Sequence, residues 1–120
     1  MINQEYKHLG FFVKSHELTL EIYKITNDFP KTEIYGLISQ LRRASSSICS
    51  NIAEGSVRST LKDYKSFLYN ALGSAKEIEY QFLLAKDLMY ITQIKYLELI
   101  EKLNLIIGSL INYMKKIELN

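Results

Sequence analysis

Cysteine, proline, tryptophan and glycine are scarce in this sequence: its 120 residues include one Cys, one Pro, no Trp and five Gly. The single Cys49 cannot form an internal disulfide, and no second cysteine or pair of histidines stands near it to hold a metal. We therefore expect a protein of the reducing cytosol. The shortage of proline and glycine argues against a turn-rich β architecture and favours helices joined by short connections.

Long apolar runs and a strong excess of one charge are also missing. No segment approaches the roughly 18 uninterrupted apolar residues of a membrane span, and the first residues lack the basic and apolar regions of a secretory signal. We predict a cytoplasmic protein on these grounds. The formal net charge is only +2, from 15 basic and 13 acidic residues, so the chain as a whole is not a strongly basic nucleic-acid binder.

What the sequence does contain is apolar residues at helical spacing. The clearest run alternates spacings of three and four, as in a left-handed helical bundle; it comprises Leu61, Tyr64, Leu68, Ala71, Ala75, Ile78, Phe82, Ala85 and Met89. Pro30 breaks the pattern earlier in the chain, and Gly55 stands where a left-handed C-terminal cap would end a helix. Thr60 and Thr92 are plausible N-caps. The predicted helices are about 7–27, 32–54, 60–89 and 93–117. We predict an all-α, up-down four-helix bundle with antiparallel neighbours, forming one domain.

The first helix carries apolar residues on two nearly opposite faces. One stripe contains Leu9, Phe12, Val13, Leu20 and Tyr23, and the other contains Phe11, Leu18, Ile22 and Ile25. A helix of a lone bundle buries only one stripe, so the surplus predicts a homo-oligomer. We assign its interface to the second stripe and to off-seam residues of the third helix: Phe11, Leu18, Ile22, Ile25, Tyr69, Leu72, Tyr80 and Leu83. The alternative is that the first helix is sunk deep within its own bundle.

No arrangement of residues is typical of a catalytic or cofactor site. The two histidines do not form the Glu-x-x-His pairs that di-iron bundles need; His16 falls in the first stripe, where a buried, hydrogen-bonded histidine is expected, and His8 is expected at the surface. The run Ser45-Ser46-Ser47 has no general base beside it, and the glycines are too scattered to cradle a phosphate. We therefore predict a protein that is not an enzyme and that binds no cofactor, metal or small-molecule substrate.

Basic residues gather around the connection between the second and third helices, since residues 31–65 contain six basic and three acidic side chains. Because such cations neutralise phosphates, we predict nucleic-acid contacts from Arg42, Arg43, Arg58, Lys62 and Lys65. The third helix also places Lys62, Lys65, Tyr69, Lys76 and Tyr80 on one face, where the tyrosines could stack on unpaired bases or serve a subunit interface.

The second helix ends with Asn51, Glu54 and Gly55, and its two polar side chains lie three residues apart on one surface. Fastening of the loop to the next helix is the interpretation we favour for these residues. Ligand binding is the alternative.

Two segments resemble a known family. They are Gln40-Leu41-Arg42-Arg43-Ala44 followed by Ser47-Ile48-Cys49-Ser50-Asn51-Ile52-Ala53-Glu54-Gly55, and Phe67-Leu68 followed by Ala71-Leu72-Gly73-Ser74-Ala75-Lys76-Glu77-Ile78-Glu79. Both are similar to the proteins encoded in intervening sequences of 23S rRNA genes, although Cys49 stands where that family often has proline. The resemblance implies a four-helix bundle that forms a ring, pentameric in characterised relatives. It also implies kinship with a branch that works with a reverse transcriptase and its RNA.

Residues and resemblance together predict a non-enzymatic, oligomeric scaffold. Its partner would be RNA or a ribonucleoprotein, bound through the basic surface near the connection between the second and third helices. The alternative is a protein-interaction adaptor with no nucleic-acid role.

Overall fold

The computed structural model describes residues 5–118, and in that part of the chain every regular element is helical. The four α-helices are α1 (Gly10–Thr26), α2 (Leu37–Gly55), α3 (Leu61–Asp87) and α4 (Gln93–Glu118), with short 3-10 turns at Tyr6–His8 and Lys31–Glu33. α1 and α3 each pack against α2 and α4, so α1 and α3 lie diagonally across the bundle. The predicted all-α helical bundle is therefore confirmed.

The bundle core follows the predicted seam of α3 closely. Its seven central members, from Tyr64 to Ala85, are fully buried. The two end members of the run differ, since Leu61 is 36% exposed and Met89 is 88% exposed. Tyr64 keeps its hydroxyl paired inside the core, 2.9 Å from the hydroxyl of Tyr113 on α4, which satisfies a polar group that would otherwise be costly to bury.

α2 begins later than the predicted residue 32, because the chain turns between residues 34 and 36. The carboxylate of Glu33 bridges this turn: its Oε1 accepts a hydrogen bond from the backbone N–H of Leu37 at 3.1 Å, and its Oε2 accepts one from the Tyr90 hydroxyl at 2.8 Å. Both bonds favour the ionised form and lower the pKa of Glu33. A Cβ on Gly36 would lie 2.5 Å from the same carboxylate oxygen, so a larger residue there would require the Glu33 side chain to move.

Gly55 ends α2 for a reason other than the predicted left-handed cap. No described glycine has a positive φ, and Ser56 continues in right-handed geometry. Instead, a Cβ on Gly55 would lie 2.9 Å from the Cβ of Phe67 and 3.1 Å from the Tyr64 ring. The glycine therefore allows α2 and α3 to approach closely where the chain reverses.

α3 ends at Asp87, two residues before the predicted end, because Met89 adopts a left-handed conformation with φ of 66°. The backbone N–H of Tyr90 donates to the carbonyl of Ala85 at 2.8 Å and that of Met89 donates to Lys86 at 2.9 Å. This pair of bonds is the usual left-handed helix stop, here built on methionine in place of the more common glycine.

α1 carries both apolar stripes, but the stripe predicted for the subunit interface lies in the core of the single chain. Phe11, Leu18 and Ile22 are 4%, 2% and 0% exposed and belong to the core of the single chain, and Ile25 packs against that core. Their assignment to an oligomer interface was wrong, because the core already covers them. In the other stripe, Val13, Leu20 and Tyr23 face outward and are 43%, 58% and 43% exposed, whereas Leu9 and Phe12 pack against the core. His16 lies on this outer side and is exposed, so the expectation of a buried histidine was also wrong, whereas His8 is exposed as expected.

Candidate functional site

The outer surface of α3 carries the most distinct polar and aromatic pattern of the bundle. We call Lys62, Lys65, Tyr69, Lys76 and Tyr80 the α3 face. At about 100° per residue, these five positions fall within a sector of roughly 60° on the side away from the buried seam. Lys62, Lys76 and both tyrosines are exposed, and Lys65 is partly buried. Thr60 starts the helix by accepting a hydrogen bond from the Asp63 N–H at 3.2 Å.

The structure separates the five predicted phosphate-contacting cations into two groups. Lys62 and Lys65 lie one turn apart near the start of α3, and Arg58 precedes them in the connection. Arg43 lies 12 residues before Gly55 on α2, which is about 18 Å along the helix at a rise of about 1.5 Å per residue. The predicted basic surface is therefore not one patch.

The Arg42 side chain has a structural role. Its Nε donates to the Thr26 hydroxyl at 2.9 Å, and its Nη2 donates to the Tyr23 carbonyl at 3.2 Å and to the Asn27 side chain at 3.1 Å. The guanidinium also lies 4.8 Å from the centre of the Tyr23 ring. A cation at the carboxyl end of a helix stabilises the exposed carbonyl groups there. Arg42 therefore caps α1 and ties it to α2.

Arg58 has a similar role at the other end of the molecule. Its Nε donates to the Glu54 carbonyl at 3.2 Å, and its guanidinium lies 4.7 Å from the centre of the Phe67 ring. Arg43 is freer: it is exposed and donates only to the Ser39 hydroxyl, at 3.4 Å, among the bonds recorded for it.

The lysines of the α3 face differ in how their charge is matched. Lys65 pairs with Glu118 at the end of α4, and Lys76 lies 3.4 Å from Glu79. For Lys62 no ion pair is recorded between residues 5 and 118. An open depression beside this lysine is lined by Leu61, Lys62, Lys65, Ser66, Tyr69 and Asn70. The free charge of the face is therefore concentrated at the start of α3.

Asn51 and Glu54 do not fasten the loop with their side chains in the way the sequence suggested. The Asn51 amide donates to the Ser47 carbonyl at 2.8 Å and to the Ser47 hydroxyl at 3.0 Å, all within α2. Glu54 contributes its carbonyl to Arg58, and Gly55 supplies the close contact with α3. The Ser74 hydroxyl also donates to that of Ser47 at 3.0 Å, so the two segments that carry the family resemblance meet at the α2–α3 seam.

A groove of about 330 Å³ between α1 and α4 is the feature that sequence reasoning missed. Glu21 lies in its wall and accepts hydrogen bonds from Lys95 at 2.6 Å and Lys102 at 2.8 Å. Burial raises the pKa of Glu21, but the bonds and charges of Lys102 and Lys95 outweigh it, and the net pKa lies below the ordinary value. Glu21 is thus a fixed anion that joins the two helices. Because its partners are distant in the chain, local sequence patterns do not reveal this contact.

Cys49 lies half-buried between α1 and α2, beside the Thr19 hydroxyl. Burial raises the pKa of its thiol to about 11, although the hydrogen bond with Thr19 acts in the opposite direction. Only the thiolate is nucleophilic. A raised pKa therefore makes Cys49 a poor nucleophile at neutral pH.

Alkylation of Cys49 by iodoacetamide is expected to be slow and strongly dependent on pH. Because the pKa of the Cys49 thiol is about two units above that of an ordinary thiol, about 100-fold less of Cys49 is thiolate at pH 8. The rate should therefore rise about tenfold per pH unit until pH approaches the thiol pKa near 11. Mass spectrometry of time points, with the urea-unfolded chain as control, measures this. A rate that levels off near pH 9 in the folded protein would contradict the assigned environment.

Over residues 5–118, no group of three or more His, Cys, Asp or Glu side chains is placed to hold a metal ion. None of the four α-helices combines the length with the apolar character that a membrane crossing requires.

Comparison with known proteins places the fold in a family. The sequence profile of the 23S rRNA-intervening sequence proteins matches residues 7–112. A solved structure from Bacteroides thetaiotaomicron, a protein of unknown function in the S23 ribosomal protein family, superposes with a TM-score of 0.78 at 28% identity, covering 88% of this chain and 98% of that one. No curated protein matches the chain. This chain belongs to the 23S rRNA-intervening sequence protein family.

Proposed function

We propose that this protein is a non-enzymatic, self-associating helical scaffold that binds RNA through the α3 face. One observation carries the proposal: Lys62, Lys65 and Lys76 lie on the same outer surface of α3 as two exposed tyrosines. Phosphate neutralisation by lysine supplies affinity that does not depend on sequence.

The carboxylates beside the α3 face determine how much positive charge it offers to phosphates. Glu79 and Glu118 each offset one lysine, so the face offers a moderate positive charge at physiological salt. Moderate charge predicts weak binding by a single copy, with a strong dependence on ionic strength. This is consistent with the small net charge of the whole chain.

Self-association is the second part of the proposal, and the outer stripe of α1 supports it. Val13, Leu20 and Tyr23 lie on the solvent side of α1, diagonally across the bundle from the α3 face. An exposed apolar stripe on a small chain favours contact with a partner surface. Because the stripe and the α3 face point away from each other, copies joined through α1 keep their RNA surfaces free.

Loss of Lys62 and Lys65 is expected to weaken RNA binding and to flatten its salt dependence. The double variant Lys62→Ala/Lys65→Ala removes two phosphate contacts, so the slope of log affinity against log salt should fall by about 1.4 for a single strand. Fluorescence anisotropy with a labelled RNA between 25 and about 200 mM salt measures the slope.

The matched control is Lys24→Ala/Lys31→Ala, which removes the same charge from exposed positions at the far end of the bundle. This control should bind RNA as the wild type does. Absence of RNA binding at low salt, or equal weakening by both double variants, would overturn the proposal. A protein partner that is recovered after nuclease treatment, in the absence of RNA binding, would favour an adaptor instead.

A further inference from the structure

We infer that the α3 face binds single-stranded RNA in preference to duplex, with Tyr69 and Tyr80 as stacking platforms for two unpaired bases. This inference rests on the proposed RNA binding and specifies the class of RNA. Tyr69 is 56% exposed and Tyr80 is 61% exposed. Neither tyrosine has a recorded ring contact within residues 5–118, unlike Tyr6, Tyr64, Tyr90 and Tyr113. Their aromatic surfaces are therefore open to a ligand.

The spacing of the two rings suits a strand of RNA. They are 11 residues apart, which is three helical turns, so they lie on the same side and about 16 Å apart along the axis. That distance is several times the separation of stacked bases in a duplex, so one continuous base stack cannot cover both rings. An extended single strand, in which successive bases are free to turn outward, can reach both.

The surface between the rings leaves room for the strand. Gly73 lies between the two tyrosines, is exposed, and has no heavy atom within 4 Å of the position that a Cβ would occupy. Lys76 lies one turn before Tyr80, and Lys65 lies one turn before Tyr69. Each ring thus has a cation one turn toward the start of the helix, although Lys65 and Lys76 each also pair with a carboxylate.

The depression beside Tyr69 provides the first base site. Lys62, Lys65 and Tyr69 line this shallow depression together with Ser66 and Asn70. Asn70 and Ser66 offer hydrogen-bonding groups at its edge. A base stacked on Tyr69 would therefore lie between an aromatic surface and polar groups, with its phosphate toward the two lysines.

A duplex lacks these contacts because its base faces are covered by neighbouring pairs. It can meet the lysines through phosphates alone. Stacking of one base on an aromatic side chain is worth roughly 1–3 kcal/mol by alanine substitution, or about 5- to 150-fold in affinity. Two platforms should therefore separate single-stranded from duplex RNA by at least about tenfold.

The test uses two labelled probes, a 12-nucleotide oligouridine and a 12-base-pair RNA duplex, with anisotropy as the readout. We expect the wild type to bind oligouridine at least about tenfold more tightly. The double variant Tyr69→Ala/Tyr80→Ala should lose that preference and keep its duplex affinity. The variant Tyr69→Phe/Tyr80→Phe should retain the preference, because phenylalanine stacks without the hydroxyl. Tyr35→Ala is the matched control, since Tyr35 is 93% exposed but lies in the α1–α2 connection.

The outcomes separate this inference from the proposed function. Equal affinity of the wild type for both probes, or a preference that survives the double alanine variant, overturns the stacking inference while leaving phosphate binding intact. Binding of neither probe overturns both. If the alanine variant instead splits an oligomer in light scattering without changing RNA affinity, the tyrosines belong to a subunit interface and the stacking inference is wrong.

Discussion

Replacing Ile22 with aspartate is expected to lower the free energy of unfolding by about 3–5 kcal/mol. Ile22 is 0% exposed in the core between α1 and the rest of the bundle, so a carboxylate placed there would lose its hydration. An uncompensated buried charge costs about 3–5 kcal/mol, a large part of the roughly 5–15 kcal/mol that stabilises a typical domain. The measurement is the helical circular dichroism signal during urea titration.

Leu20→Asp is the matched variant on the outer side of the same helix. Leu20 is 58% exposed, so the new charge remains in water and the free energy of unfolding should change by less than about 0.5 kcal/mol. If the outer stripe of α1 joins copies of the chain, this variant should lower the mass seen in light scattering while keeping the fold. A stable Ile22→Asp variant, or wild-type protein that is monomeric at micromolar concentration, would contradict our assignment of the two faces.

A single methyl group added at Gly55 is expected to destabilise the protein by about 1–3 kcal/mol. The added Cβ would meet the Cβ of Phe67 at 2.9 Å and the Tyr64 ring at 3.1 Å, and the first of these contacts is closer than carbon atoms approach each other. Because the obstacle is close to the α3 backbone, a side-chain rotation cannot relieve it. Urea denaturation of Gly55→Ala measures the loss.

The same substitution at Gly108 is expected to have the opposite effect on the free energy of unfolding. Gly108 lies inside α4 with no heavy atom within 4 Å of a new Cβ. Alanine in a helix interior is favoured over glycine by up to about 1 kcal/mol, so Gly108→Ala should raise the free energy of unfolding. If Gly55→Ala were also neutral or stabilising, the close approach of α2 and α3 would not be the reason for glycine at residue 55.

The architecture of the bundle was accessible from sequence because it depends on local spacing. The seam of α3 repeats every three or four residues, and each interior member lies in the core. The N-caps were equally local: Thr60 and Thr92 each accept a backbone N–H three residues later, at 3.2 Å and 3.1 Å. The start of α2 near Gly36 and the reason for glycine at residue 55 were not predicted correctly. The contacts that determine them come from a side chain or from another helix.

The orientation of α1 could not be read from its own residues. Two apolar stripes of similar size satisfy the same periodicity, and the choice between them depends on which stripe α2 and α4 cover. Long-range polar contacts hold α1 in the observed orientation: the Thr19 hydroxyl donates to the Ser45 carbonyl at 3.1 Å, and Glu21 binds two lysines of α4. Those partners are 26 to 81 residues away in the chain.

The candidate site was predictable in part for the same reason. The alignment of lysines and tyrosines along α3 follows from helix geometry alone. The different roles of Arg42 and Arg43, which are adjacent in sequence, do not follow from helix geometry. Arg42 faces the carboxyl end of α1 and makes three hydrogen bonds there, whereas Arg43 points to solvent. Counting basic residues could not distinguish a capping arginine from one that is free for a ligand.

The diagonal placement of α1 and α3 has a consequence for affinity. If copies associate through α1, each adds another α3 face to the outside of the particle without covering those already present. A long RNA that is held by one face then meets the others at a high effective concentration, and avidity can exceed the affinity of one face by roughly 100- to 10,000-fold. A weakly charged chain could in this way discriminate by length, since short RNAs would dissociate and long ones would be retained.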